Sequence, residues 1–498
     1  MKTKKFAVLL FTLILVLGLF PMGVFAASST VTATSTASIT INNAVENDVL
    51  KAYKVVDITY NEASNHVSYA WNSAFADYFA GTTSYNDTAY TVEGFATLTD
   101  DSAELKNVLA GLPKYIAYKN IAVAKTATVG EGGTATFADL AMGEYFIRPS
   151  STTSVYQLML QKIEPKVEED SEGNPHYVIE DVTFTAKKEE VTITKTADKT
   201  SVTKNEKVAY TVAVDIPTYS AEATDKTIYV SDLLPDGLTI DTDSINVKIG
   251  GTAVDSTAYN LDTNATSAYT FKLSVSTQQY TDSWTNEGGK KLFITYTATL
   301  NNNATTEVNV KETNKATFDY SFYPYVENSH KQKTDTVDVT TFAIKIDKYV
   351  AGSHATKLAD AKFDLYRTAT DAEIAAGVTE TIPHTTINGI KLESDVVTND
   401  SGVATFEKYE ANGTKYDYYL VETQAPHGYN ILAEAVKVNF TDAEATNGVY
   451  TVKVPNSSGI TLPITGDEGI VIFTVIGIAF MGGAVILFVL FHKKAKAN

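Results

Sequence analysis

The 498-residue chain has no cysteine, which excludes disulfides, thiolate metal sites and cysteine nucleophiles. Histidine is scarce at 7 residues, and these are scattered without metal-ligand spacing, so no metal is expected and no cofactor. Asp241-Thr242-Asp243 has a trace of a calcium-loop spacing, which turn chemistry explains. Lysine and arginine number 40 against 59 acids. A net charge of −19 leaves no general cationic face for phosphates, so nucleic acid is not an expected partner. No G-x-S-x-G, Walker loop or H-E-x-x-H occurs, so an enzyme is not expected. What remains is globular: 44% hydrophobic and 11% aromatic, with a length suited to about three domains.

Both ends carry address signals. Lys2, Lys4 and Lys5 precede an apolar run from Phe6 to Phe20, and Val24-Phe25-Ala26 supplies small residues at −3 and −1. Residues 1–26 therefore read as a secretory signal peptide cleaved before Ala27. At the other end, 470–491 is uncharged and long enough for a transmembrane helix. His492, Lys493, Lys494 and Lys496 follow, a basic cytoplasmic tail at 492–498.

Just before that span stands Leu462-Pro463-Ile464-Thr465-Gly466. In this setting it resembles the LPxTG cell-wall sorting signal of Gram-positive surface proteins. The resemblance implies that a sortase cuts after Thr465 and passes its carbonyl to an amine.

Between the ends the pattern is β. Runs such as Val191-Thr192-Ile193-Thr194, Leu292-Phe293-Ile294-Thr295-Tyr296 and Tyr450-Thr451-Val452-Lys453-Val454 alternate, with Asn, Asp and Gly between them. The expected fold is all-β: tandem immunoglobulin-like sandwiches in an elongated rod, with a few helices in the first domain. Helices are expected at 74–80, 102–118 and 371–376. Boundaries fall at 27–187, 188–341 and 342–461, without flexible Gly/Ser linkers.

The last two blocks open and close alike. The second begins Val191-Thr192-Ile193-Thr194-Lys195, carries Asp232-Leu233-Leu234-Pro235-Asp236-Gly237-Leu238, and closes Glu312-Thr313-Asn314-Lys315. The third begins Ala343-Ile344-Lys345-Ile346-Asp347-Lys348, carries Tyr419-Leu420-Val421-Glu422-Thr423, and closes Val454-Pro455-Asn456. In these features the chain resembles a major (shaft) pilin of Gram-positive sortase-assembled pili. Its second block is similar to the family's central isopeptide-forming domain and its third to the collagen-adhesin B-type domain.

The resemblance implies Lys195–Asn314 and Lys345–Asn456 amides joining first strand to last, with Asp232 and Glu422 as proton shuttles. Lys199 and Lys348 are the local alternatives to the two lysines. The reaction is autocatalytic: burial favours the neutral amine and a protonated acid, and the fold supplies effective molarity. No crosslink is expected in the first domain, whose opening strand lacks lysine.

Polymerisation further requires an exposed acceptor lysine near the end of the first domain. The family's Y-P-K-N-like motif is replaced here by Thr185-Ala186-Lys187-Lys188. Lys187 is the first candidate, with Lys188 and Lys166 as alternatives. Implied partners are a pilin-class sortase, identical subunits, minor tip and basal pilins, peptidoglycan and host surface ligands. The rival readings are a monomeric wall-anchored adhesin binding host matrix or glycans, a basal or minor pilin, and, more distantly, a surface enzyme.

Overall fold

The computed structural model describes residues 29–458, except 100–101, 152–153, 306–310, 328, 410–415, 441–443 and 447, together with Met481 and Ala484. The expected signal peptide 1–26, sorting motif 462–466 and tail 492–498 lie outside the described residues. The transmembrane expectation is corrected: among the described residues no helix is long and apolar enough to cross a membrane. The segment 470–491 itself lies outside them apart from Met481 and Ala484.

Strands make up half of the structure and helices 11%, so the fold is all-β, built on three successive hydrophobic cores. The first core lies between Val31 and Ala186. Its spine is the long strand Val49–Asn61, which pairs antiparallel with Gly143–Ser151, His66–Trp71 and Lys125–Thr128. The helix Ala103–Lys119 closes one side. Ser102 caps its start by accepting from the Leu105 N–H at 3.1 Å, and Asn120 ends it in the left-handed region. Leu105, Val108, Leu109, Leu112, Tyr115 and Ile116 recur at helical spacing and are buried. Strand Val182–Thr185 ends this domain, parallel to Thr36–Asn42.

The junction with the second domain is packed. Strand Lys188–Glu190 pairs with Ser154–Tyr156, and Ala110 and Val155 of the first domain join the second core. The second domain is a sandwich of two five-stranded antiparallel sheets. One holds Ile193–Ala197, Lys207–Asp215 and Lys291–Leu300; the other holds Ile228–Leu233, Glu312–Ser321 and His330–Val339. Asn314 therefore sits on the penultimate strand, not the last, because His330–Val339 returns as a hairpin partner along the outer edge. Asp241-Thr242-Asp243 lies in strand Leu238–Ile249 at a register shift. It is a bulge where a turn was expected, and Asp241 is paired with Lys207 at 2.9 Å.

The third domain is again two five-stranded sheets. Its first strand, Phe342–Val350, runs parallel to its last, Val449–Asn456, and Tyr418–Gln424 lies in the facing sheet. The short helix Asp371–Ala375 carries a capping box between Thr370 and Glu373.

Candidate crosslinking sites

Strand alternation decides which side chains enter each sandwich. In Ile193–Ala197 only Lys195 is fully buried, in phase with Val191 and Ile193. On the facing sheet Asp232 lies opposite Ala316, which places Asn314, two residues away, on the same inward face. Tyr296 enters from the first sheet, opposite Tyr210. All four meet in one chamber.

Lys195 Nζ donates to Asp232 Oδ2 and, at 2.8 Å, to Tyr296 Oη. Tyr296 Oη donates to Asp232 Oδ1 at 2.9 Å and accepts from Asn314 Nδ2 at 2.7 Å. Phe271 meets the Tyr296 ring edge-on at 5.2 Å and Tyr210 stacks on it at 5.3 Å. The Lys195 amine lies 5.2 Å from the centres of both tyrosine rings.

This dry setting reshapes the titrations. Burial pushes the Lys195 ammonium down despite the attraction of Asp232. Burial likewise pushes the Asp232 carboxyl up, against the lowering effect of Lys195. Each shift favours the neutral form, an amine beside a carboxylic acid.

The third domain holds a second cluster, and here a sequence expectation is corrected. Ile344, Ile346 and Lys348 point inward, so Lys345 is out of phase by one residue and remains outside the cluster. It is Lys348, fully buried, that donates to Asn456 Oδ1. Lys348 Nζ also lies 2.9 Å from Glu422 Oε1. Asn456 Nδ2 donates to Glu422 Oε1 at 2.8 Å and to Oε2 at 3.1 Å. The Leu432 N–H donates to Oε2 at 2.8 Å, and the Phe363 ring stands 5.2 Å from the amine. Burial again lowers the lysine.

Of the residues expected from the sequence, the structure brings Lys195, Asp232 and Asn314 into one cluster and Glu422, Asn456 and the alternative Lys348 into the other; Tyr296 joins the first without having been expected there. The available signal was parity: Leu292, Ile294, Tyr296, Ala298 and Leu300 share the inward face. Lys199, the other alternative, is held at the surface by Glu206 at 2.7 Å. Among the described residues of the first domain no lysine is buried.

The three acceptor candidates differ in freedom. Lys166 pairs with Glu180 at 2.8 Å, and that hydrogen bond raises its pKa above the ordinary lysine value. Lys188 is mostly covered and pairs with Glu190 at 3.2 Å. Lys187 is exposed. It borders a cavity of about 550 Å³ lined also by Leu105, Leu109, Leu158, Phe184 and Tyr325, at the junction of the first two domains.

Comparison with known proteins follows the same outline. Residues 342–455 match the SpaA prealbumin-like fold domain and residues 454–496 the LPXTG cell wall anchor motif. Fimbrial subunit type 1 of Actinomyces viscosus is 31% identical over 154 residues, 27% of this chain and 28% of that protein. The chain thus spans little more than a quarter of that relative's length.

Among solved structures, the T6 backbone pilin of Streptococcus pyogenes serotype M6 superposes with a TM-score of 0.58 at 19% identity, over 82% of this chain and 81% of that one. The major pilin SpaD of Corynebacterium diphtheriae gives 0.53 at 16% identity, over 86% and 99%. The major pilin SpaA of the same species gives 0.50 at 19%, over 84% and 100%. At these identities the likeness is one of fold. The chain is a cell-wall-anchored surface protein of the Gram-positive type, with the fold of the shaft pilins that its sequence resembles.

Proposed function

We propose that this chain is the repeating backbone subunit of a covalent pilus. In this reading a pilin-class sortase joins the Thr465 carbonyl of one copy to Lys187 of the next. The last copy is transferred to peptidoglycan, and minor tip and basal pilins complete the fibre. Two internal amides, Lys195–Asn314 and Lys348–Asn456, stiffen each subunit. The observation that carries the reading is the pair of buried lysine–acid–asparagine clusters in a chain with an LPXTG anchor. The solved relative SpaA is itself described in terms of modular pilus assembly with stabilising isopeptide bonds.

The internal reaction needs no external catalyst. A neutral lysine nitrogen attacks the asparagine Cγ, the Cγ–Nδ2 bond breaks, and ammonia leaves with a proton that came from the lysine. Leaving a buried ammonium and carboxylate unbonded is costly, and a neutral amide removes that cost. Among the lysine candidates, exposure and the lack of an acidic partner among the described residues favour Lys187 as the acceptor over Lys166 and Lys188.

Wall extracts boiled in SDS and blotted for this chain test the reading. A high-mass ladder that disappears in Lys187→Ala and persists in Lys166→Ala is expected. A single band from the natural chain would mean a monomeric wall-anchored adhesin instead.

A further inference from the structure

We propose that Tyr296 is a catalytic residue of the central crosslink, relaying a proton between Asp232 and the departing Asn314 nitrogen. The inference rests on the amide-forming reading of the Lys195–Asn314 pair. It starts from a difference between the two clusters.

In the third domain Glu422 reaches the leaving nitrogen itself, with Asn456 Nδ2 at 2.8 and 3.1 Å from its two oxygens. In the central domain the acid is Asp232, shorter by one methylene, about 1.5 Å of chain. Among the described residues no hydrogen bond joins Asp232 to Asn314. The Tyr296 hydroxyl fills that gap, 2.9 Å from Asp232 Oδ1, 2.7 Å from Asn314 Nδ2 and 2.8 Å from Lys195 Nζ. It touches the acid, the leaving group and the nucleophile at once. The ring is only 2% exposed and wedged between Phe271 and Tyr210, so the hydroxyl is fixed in place.

The proton count closes through these contacts. After Lys195 Nζ bonds to Asn314 Cγ, Nζ carries one proton more than the amide keeps, and Nδ2 gains a lone pair as its carbon becomes tetrahedral. Nζ gives a proton to Asp232 Oδ2. With Nδ2 now an acceptor, the Tyr296 hydroxyl turns from Asp232 Oδ1 toward it, so that Asp232, protonated on Oδ1, gives that proton to Tyr296 Oη and Tyr296 gives its own to Nδ2. The Cγ–Nδ2 bond breaks and ammonia departs. Asp232 is again a neutral acid and Tyr296 again a phenol, so no oxidant, reductant or further reactant is consumed. A positioned proton donor of this kind contributes roughly 100- to 10,000-fold in rate.

The test is intact-mass measurement, over time after synthesis, of the ectodomain 27–465, which contains all three domains. Each amide removes one ammonia, about 17 Da. The natural chain is expected to lose two. Tyr296→Phe keeps the ring and removes only Oη. It should lose one ammonia promptly, from the third domain, and the second at least ten times more slowly.

The double variant Asp232→Glu/Tyr296→Phe supplies an acid long enough to reach Nδ2 directly, and should recover the second loss. Protease resistance reports whether each variant folds. A folded Tyr296→Phe chain that crosslinks at the natural rate overturns the relay, as does a folded double variant that stops at one loss. A natural chain that loses no ammonia overturns instead the amide reading beneath it.

Discussion

Lys348 and Asn456, 108 residues apart, lie on neighbouring parallel strands with the lysine amine donating to the asparagine carbonyl oxygen. Lys345 lies three residues earlier on the same strand and takes no part. Lys348→Ala is therefore expected to shrink the ectodomain's deficit from its own sequence mass by one ammonia, about 17 Da, while Lys345→Ala leaves that deficit unchanged. The same pair should separate by thermal melting. By analogy with a disulfide, a crosslink closing a loop of this size contributes about 4–5 kcal/mol through the unfolded chain. Equal deficits in the two variants would overturn the assignment of Lys348.

Asp232 has a structural part in the central chamber beside its proposed chemical one. Asp232→Ala leaves Lys195 buried without its acid, a change that costs about 3–5 kcal/mol in other buried pairs. The expected outcome is loss of the central amide, a mass shift confined to that domain, and a lower melting transition. A variant with an unchanged mass deficit would remove Asp232 from the mechanism.

Gly237, in the stretch Asp232–Leu238, owes its place to a neighbour. A Cβ added there would lie 2.5 Å from Oε1 of the buried Glu312 side chain. That oxygen accepts from the Thr305 N–H at 2.9 Å and is not free to swing away. Gly237→Ala should destabilise the central domain by roughly 1–3 kcal/mol, the usual range for overpacking. Denaturant unfolding measures this, and a neutral result would show that Glu312 can yield.

His330 sits between Asp225, 3.1 Å from Nε2, and Asp319, 2.5 Å from Nδ1, on the outer hairpin of the central domain. Hydrogen bonds to Asp225 and Asp319 raise its pKa to about 9. The folded value lies above the unfolded one, near 6.5. The stabilisation is therefore complete below about pH 6.5 and is lost as pH rises through about 9. With the side chain 22% exposed, an effect on the order of 2 kcal/mol is expected. Melting curves between pH 6 and 10 should fall for the natural chain and lose that step in His330→Ala.

Much of this was legible from residue types in order. Runs of Thr, Val, Ile and Tyr announced strands, and Ser102 with its downstream Leu and Ile residues announced the helix, which begins one residue later and ends at Lys119. Lysine, acid and asparagine announced the clusters. Parity was legible too, since Ile344, Ile346 and Lys348 alternate. It favours the alternative Lys348 over Lys345.

Other features depend on layers that a linear pattern does not carry. Nothing before the hairpin His330–Val339 marks Asn314 as belonging to a penultimate strand. Tyr296 is one of 29 tyrosines, and becomes special only because a strand distant in sequence brings Asp232 and Asn314 to its hydroxyl. The distinction between Lys187 and its two competitors likewise depends on Glu180 and Glu190, which pair with Lys166 and Lys188.

The penultimate position of Asn314 has a mechanical consequence. With the central amide closed, residues 196–313 are shielded from tension, but the hairpin that follows remains in series with the load. Glu312 faces Val339 across it, so a pull from the third domain peels the two strands apart from their open end. The Thr340 N–H, donating to the Thr200 carbonyl at 2.8 Å, is a clip that breaks first. Residues 315–339 then pay out roughly 80 Å at about 3.4 Å per residue. Beyond that length the amide stops further extension. The third domain has no such reserve, because Asn456 ends its last strand. With both proposed amides closed, the stretch from Lys187 to Thr465 is a stiff link with one short extensible leash, and optical-tweezer traces of the ectodomain held at those two residues should show one step of about 8 nm before the chain becomes inextensible.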